Sequence, residues 1–338
     1  MEKKVYSPQE ERIQNEINHK ETEAPRKNRA NRILQEIRNQ KPKIDIERAY
    51  YFTESFKETE GQPLILRWAK ALYRYAQKAT VYIDEDQLLV GRSGKNGRYG
   101  ILYPELDGNI FREAVRKLPT RENSPFDIDE KDARIIVDEI APYWEERTFH
   151  EDLSKALTEE TRKLTYNNDK EHTSRYIVNE TASFRSSLQW VHDYEIVMQK
   201  GFKGIKEEAE ERLSQLDEYS PIDNREKRPF LEAEIITCDA IVLWANRHAE
   251  LAKELAEKEE EETRRKELLE ISEICSYVPE NPPRSFREAM QAQWFTQMFS
   301  RVEQKTGTII SNGRMDQYLY PFYVEDRKKG IISDEEVQ

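Results

Sequence analysis

Ser311-Asn312-Gly313-Arg314-Met315-Asp316-Gln317, continuing through Tyr320-Pro321-Phe322-Tyr323 to Gly330, is the stretch on which the reading of this 338-residue chain turns. Taken alone it describes a glycine-led turn running into a helix start, with Arg314 and Asp316 satisfying backbone groups locally. Nothing in those side chains by itself specifies catalysis, so the rest of the chain has to supply the context.

The bulk composition narrows that context. Hydrophobic residues make up 37% and charged residues 36%, with a mean hydropathy of -0.94, which predicts a polar protein rich in long, exposed helices. The net charge of -12 argues against a nucleic-acid partner, because phosphate binding needs a concentrated basic face and these Lys and Arg are interleaved with Asp and Glu. A small anionic substrate stays compatible where local arginines outweigh the global field. No apolar run reaches the roughly 18 residues of a membrane span, and Met1 to Lys20 lacks a secretory apolar core, so a cytoplasmic protein is expected. Two cysteines, Cys238 and Cys275, form neither a CxxC nor a disulfide framework.

Working outward along the chain, residues 1–27 are charged and lack periodicity, and read as a mobile arm. Ile33, Leu34 and Ile37 form a short helical stripe that Lys41-Pro42 ends. Asp45 can cap the next helix, and Glu47 to Lys57 and Pro63 to Lys78 read as two amphipathic helices, the second burying Leu64, Ile65, Trp68, Ala69, Ala71, Leu72 and Tyr75. Val81-Tyr82-Ile83 and Leu88-Leu89-Val90 are predicted extended, ahead of a loop marked by Gly91, Gly94, Gly97 and Gly100. That loop lacks both phosphate-cradling glycine spacings, so nucleotide binding is not expected, and its glycines suit tight turning against other elements. Pro125 to Glu146 is predicted helical, and Thr148 to Glu171 a polar region broken at Asn167-Asn168-Asp169. Gly204 to Leu216, Arg228 to Lys258 and Arg284 to Arg301 carry apolar residues at i, i+3, i+4 and i+7. The acidic run Glu259 to Glu262 after the second of these is a solvated face or turn.

One pair suits anion chemistry. In Phe184-Arg185-Ser186-Ser187-Leu188-Gln189-Trp190, Arg185 and Gln189 would share a helical face, and a guanidinium fork beside an amide donor fits a sulfonate, phosphate or carboxylate. The same spacing also fits a surface arginine beside a polar neighbour. His192-Asp193 resembles a base with its carboxylate, but adjacent helical residues point apart. Cys238 lies in an apolar helical stripe and Cys275 has no adjacent basic residue, so neither is expected to be a reactive thiolate.

Separated segments, taken in order, resemble the glycyl radical enzymes of the pyruvate formate-lyase-like superfamily. They are Ile44-Asp45-Ile46-Glu47-Arg48-Ala49, Thr53-Glu54, Arg67-Trp68-Ala69-Lys70, Leu89-Val90-Gly91, Val278 to Ala289, and Gly313 to Tyr323. Within it, Asn179 to Trp190 and Gln293 to Asn312, including Phe299-Ser300-Arg301-Val302-Glu303-Gln304-Lys305-Thr306-Gly307, are most similar to the isethionate sulfite-lyase branch. The resemblance implies an α/β fold, a ten-stranded barrel wrapped by helices, of which residues 28–338 would be the N-terminal, mostly helical part. It implies Arg185 and Gln189 as ligands of a small sulfonate substrate. The reaction implied is anaerobic cleavage of isethionate to acetaldehyde and sulfite, in which a thiyl radical takes hydrogen from the hydroxyl-bearing carbon and a glutamate takes the hydroxyl proton. It also implies no directly bound cofactor, a glycyl radical installed by a radical S-adenosylmethionine activating enzyme, and a homodimer. The reactive cysteine, its partner glutamate and the radical glycine are expected downstream of Gln338, so the chain alone is expected to be inactive. Ser333 reads as the cap of a helix that 338 residues do not complete, so the chain is read as truncated. Other small alcohols (choline, glycerol, propanediol, hydroxyproline) and a noncatalytic helical interaction protein are the alternatives.

Overall fold

The computed structural model describes residues 25–95, 97–106, 112, 115–123, 125–161, 191–303, 311–333 and 337. Helix α1, Pro25–Asn39, ends ahead of Pro42 and leads into strand β1, Lys43–Asp45. Helices α2, Glu47–Glu58, and α3, Leu64–Lys78, follow, separated at Gly61, whose φ of +84° explains the break. The Asp45 carboxylate accepts from the Glu47 amide at 2.9 Å, but it does so from within β1, one residue ahead of the helix cap.

Strand β2, Tyr99–Ile101, pairs in parallel with β1 in the register Lys43↔Tyr99, Ile44↔Gly100, Asp45↔Ile101. The extended segments expected at Val81–Ile83 and Leu88–Val90 form no strand. Side chains hold the turn between them and the end of the second segment instead. Arg264 donates to the carbonyls of Asp84 and Gln87, both at 2.9 Å, while Gln291 accepts from the Val90 amide at 2.9 Å and donates to its carbonyl at 2.8 Å. Gly91 does what the loop reading asked. Its φ is +108°, and a Cβ there would sit 2.9 Å from the Phe295 ring.

The helix expected from Pro125 begins later. Asp127 bridges to Lys43 and accepts from the Ile44 amide at 2.8 Å, which keeps that segment extended. Helix α4, Glu130–Ile135, then widens into a π turn at Ile136–Ile140 before α5, Ala141–Trp144. The polar region after Thr148 holds helix α6, Phe149–Ala156. Its expected break at Asn167 to Asp169 lies outside the described residues.

Helix α7, Tyr194–Ser214, starts ten residues ahead of the expected Gly204 because Gly201 interrupts it with φ +63° rather than ending it. The amides of Phe202 and Lys203, freed by that kink, donate to the carbonyls of Pro279 and Glu280, both at 2.9 Å. Helix α8, Arg228–Lys258, matches its periodicity, with Pro229 in its first turn and Cys238, Ile241, Ala245, His248 and Ala252 on one buried face. The acidic run after it lies between helices: Glu261 accepts from the amides of Thr263 at 2.9 Å and Arg264 at 2.6 Å and so caps α9, Glu262–Tyr277. Helix α10, Phe286–Glu303, then α11, Met315–Tyr318, and α12, Tyr320–Lys329, complete the described chain.

Helix α8 packs against α3, α7, α9 and α10, and the main core gathers Phe52, Phe56, Trp144, Ile241, Trp244 and Phe295 around it. Phe56 and Trp144 approach to 5.0 Å between ring centroids, and the Trp144 indole donates to Thr53 at 2.8 Å. Leu64 and Ile65 correct the reading of α3. They are 62% and 41% exposed, because α3 turns Leu66 and Ala69 toward Ala233 of α8 instead.

Two buried titratable groups oppose each other in acid. Burial pushes the His248 imidazole down to about 4, and burial pushes the Asp45 carboxyl up to about 6. Between pH 4 and 6.5 the unfolded chain binds more protons at His248, so that group's contribution to stability rises with pH. Between pH 3.8 and 6 the folded chain binds more at Asp45, so its contribution falls with pH. Asp45→Asn removes the second effect. Its unfolding free energy is expected to climb by on the order of 3 kcal/mol from pH 4 to 6.5, measured by urea titration. A flat profile in that variant would remove His248 as an acid-labile group.

Candidate functional site

The 311–313 turn pairs with the chain just ahead of α7. Val191, two residues beyond Gln189, forms a parallel bridge with Ser311. Gly313 makes that approach possible: its φ is +63°, and a Cβ would lie 2.6 Å from Val191 Cγ1. Arg185 and Gln189 themselves lie outside the described residues.

A polar cluster holds this seam, buried at Tyr194, Gln293 and Gln297 and exposed at Asn312. The Tyr194 hydroxyl donates to Gln297 Oε1 on α10, and its ring stacks on Tyr318 with centroids 5.4 Å apart and planes at 29°. The Tyr318 hydroxyl donates to the Asn312 carbonyl at 2.8 Å, and Gln293 Nε2 donates to Asn312 Oδ1 at 2.9 Å. Gln293 and Gln297 stand one helical turn apart and are both buried, which orients two amides toward Tyr194 and the 311–313 turn. Arg314 and Asp316, read as satisfying backbone groups, instead pair with each other at 2.8 Å on the surface. The hydrogen bond between them, and then their opposite charges, hold Asp316 below and Arg314 above their ordinary values.

His192 and Asp193 each engage other groups. Asp193 caps α7 by accepting from the Ile196 amide at 3.2 Å, and His192 packs edge-on to Tyr194 while burial lowers its imidazole. Both cysteines are buried and free; burial pushes Cys238 up to about 12 and raises Cys275 as well, so neither is a thiolate at neutral pH. Among the described residues no group of three His, Cys, Asp or Glu could hold a metal ion. Nor is any described helix long and apolar enough to cross a membrane.

The far end of α10 is fixed by Arg48, a residue the sequence offered only as part of a motif. Its side chain is 0% exposed. It donates to Glu105 through both terminal nitrogens, at 2.7 and 3.1 Å, to the carbonyls of Val302 at 2.5 Å and Glu303 at 3.1 Å, and to that of Leu102 at 3.1 Å. All five N–H donors are used. The guanidinium lies between the Phe52 and Tyr103 rings, 3.9 and 4.0 Å from their centroids. A charged residue inside an otherwise apolar helical stripe was the available signal, as were the glutamines within the apolar pattern of α10.

The profile of a family described as pyruvate formate lyase-like matches residues 20–338. The chain belongs to that family. Four isethionate sulfite-lyases are 56–59% identical to it; that of Oleidesulfovibrio alaskensis is 58% identical over 97% of this chain and 40% of its own length. Trans-4-hydroxy-L-proline dehydratase of Clostridioides difficile is 31% identical over 92% of this chain and 38% of its own. Among solved structures, a glycyl radical enzyme from Archaeoglobus fulgidus superposes with a TM-score of 0.80 at 32% identity, over 91% of this chain and 38% of that one. A Roseburia inulinivorans structure described for 1,2-propanediol dehydration gives 0.84 at 32%, over 93% and 36%. As a pyruvate formate lyase-like chain it spans about two fifths of the curated relatives it matches, and its helical layers are part of the glycyl radical enzyme fold, as the resemblance implied.

Proposed function

We propose that this chain is the N-terminal part of an anaerobic glycyl radical carbon–sulfur lyase that converts isethionate to acetaldehyde and sulfite. The observation that carries the reading is the step from 31% identity with hydroxyproline dehydratase to 56–59% with four isethionate sulfite-lyases. Residues 28–338 would be the first part of the family's domain and 1–27 an arm. The radical apparatus, on downstream sequence, supplies abstraction and return of one hydrogen atom. In the balance, the hydroxyl proton is lost, the C–S bond breaks, sulfite leaves with its electrons, and hydrogen returns to the carbon that carried sulfur. A radical-installing enzyme and a second copy of the lyase are the partners in this reading.

The role of this chain is to hold the anion. Arg185 would present its planar fork to two sulfonate oxygens and Gln189 its amide to the third, and both would stabilise charge as sulfite departs. In the intact enzyme, Arg185→Ala is expected to lower kcat/KM for isethionate by roughly 10²–10³-fold, or about 3–4 kcal/mol of transition-state stabilisation. Sulfite release followed without oxygen checks this. Turnover within a few fold of the parent would remove Arg185 from the site.

A further inference from the structure

We infer that helix α1 is a detachable strap, held on the protein by charge rather than by burial, so that ionic strength sets how firmly it closes the 84–87 turn onto α9. Its burial is slight. Among the described side chains of α1, 29–39, none is buried: Ile33 is half-buried, and Leu34 and Ile37 are exposed. The helix is also weak by itself. At 15 residues it has the length at which an isolated helix is marginal in water, and no acidic residue stands in its first turn to meet the helix dipole.

Two arginines fasten it instead. Arg29 Nη2 donates to both carboxylate oxygens of Glu267 on α9, at 2.6 and 2.8 Å, and its Nε lies 3.7 Å from Asp86 Oδ1. One turn on, Arg32 holds Asp86 through two nitrogens, its Nε at 2.6 Å. The acceptors are fixed from behind: Arg264 donates to Glu267 at 2.9 Å and to the carbonyls of Asp84 and Gln87, on either side of Asp86. Both carboxylates are largely buried, so each depends on its guanidinium partners. Arg32 is half-exposed, which leaves its pair open to screening. The far end of the strap is held more lightly, by Arg98 donating to the Gln40 carbonyl at 3.1 Å. The Debye length falls from about 30 Å at 0.01 M salt to about 3 Å at 1 M, which weakens ion pairs and leaves apolar packing in place.

Hydrogen–deuterium exchange in the intact enzyme reads the opening of the strap directly. Raising NaCl from about 0.01 to about 1 M is expected to speed exchange at 33–39 at least 5-fold, while α8 stays within 2-fold. Asp86→Asn keeps the side-chain shape and removes the charge that both arginines share, and is expected to speed the same amides at least 10-fold at the lower salt. Asp86→Asn combined with Glu267→Gln is expected to reduce the salt effect on them below 2-fold. Ile33→Ala deletes the most covered of the three apolar side chains of the strap, and is expected to change exchange less than 3-fold. Salt-independent exchange at 33–39 in the parent would overturn the inference, as would acceleration shared equally by α8. An Ile33→Ala strap that opens as far as the Asp86→Asn one would overturn it too, because burial would then be the fastening.

Discussion

Arg48→Ala is expected to cost about 3–5 kcal/mol of unfolding free energy, enough to leave a marginally stable protein largely unfolded. The substitution deletes all five donors at once and strands the Glu105 carboxylate, whose side chain is 6% exposed, without its cation. It also empties the gap between the Phe52 and Tyr103 rings. Arg48→Lys should recover little, because one ammonium cannot reach Glu105, Val302 and Glu303 together or lie flat between two rings. The companion test is Arg48→Met with Glu105→Leu. Removing both charges should cost less than removing the cation alone, since no uncompensated charge remains buried. Urea titration of the three variants decides it; a loss below 1 kcal/mol for Arg48→Ala would mean that Arg48 does not fix the end of α10.

Gly201→Ala is the second large effect. Alanine at φ +63° costs about 1–2 kcal/mol by itself, and its Cβ would lie 2.2 Å from the Glu280 carbonyl oxygen, a backbone atom with no rotamer to change. Relief requires α7 to leave the loop at Pro279 and Glu280, breaking the hydrogen bonds from Phe202 and Lys203. At about 1 kcal/mol for each bond the total comes to roughly 3–4 kcal/mol. Gly61→Ala is the control: its φ is also positive, but no atom lies within 4 Å of the added Cβ, so about 1 kcal/mol is expected there. Equal losses at the two positions would show that the clash with Glu280 does not matter.

These residues also show what the sequence could and could not disclose. Helix α8 was legible because Pro229 opens it and its buried residues recur every three or four positions. The 81–90 segment was misread because its backbone partners, Arg264 and Gln291, lie about two hundred residues away and leave no local trace. Leu64 and Ile65 failed for a related reason: an apolar pattern gives a face, and the neighbour decides how much of the face is covered. The periodicity opened this helix only at Gly204, yet a positive-φ kink at Gly201 passes the helix on because a loop accepts the freed amides. In the site, the seam between Val191 and Ser311 follows from tertiary approach alone, and Tyr194 and Gln297 meet across 103 residues. The proposed anion-binding pair, Arg185 and Gln189, came from resemblance joined to the chemistry of an arginine and an amide four residues apart.

Supplying isethionate to the intact, activated enzyme without oxygen and quantifying sulfite and acetaldehyde, with glycerol and 1,2-propanediol in parallel, decides the substrate. Sulfite and acetaldehyde are expected in equal amounts, with little turnover of either diol. Dehydration of a diol with no sulfite from isethionate would overturn the sulfonate reading.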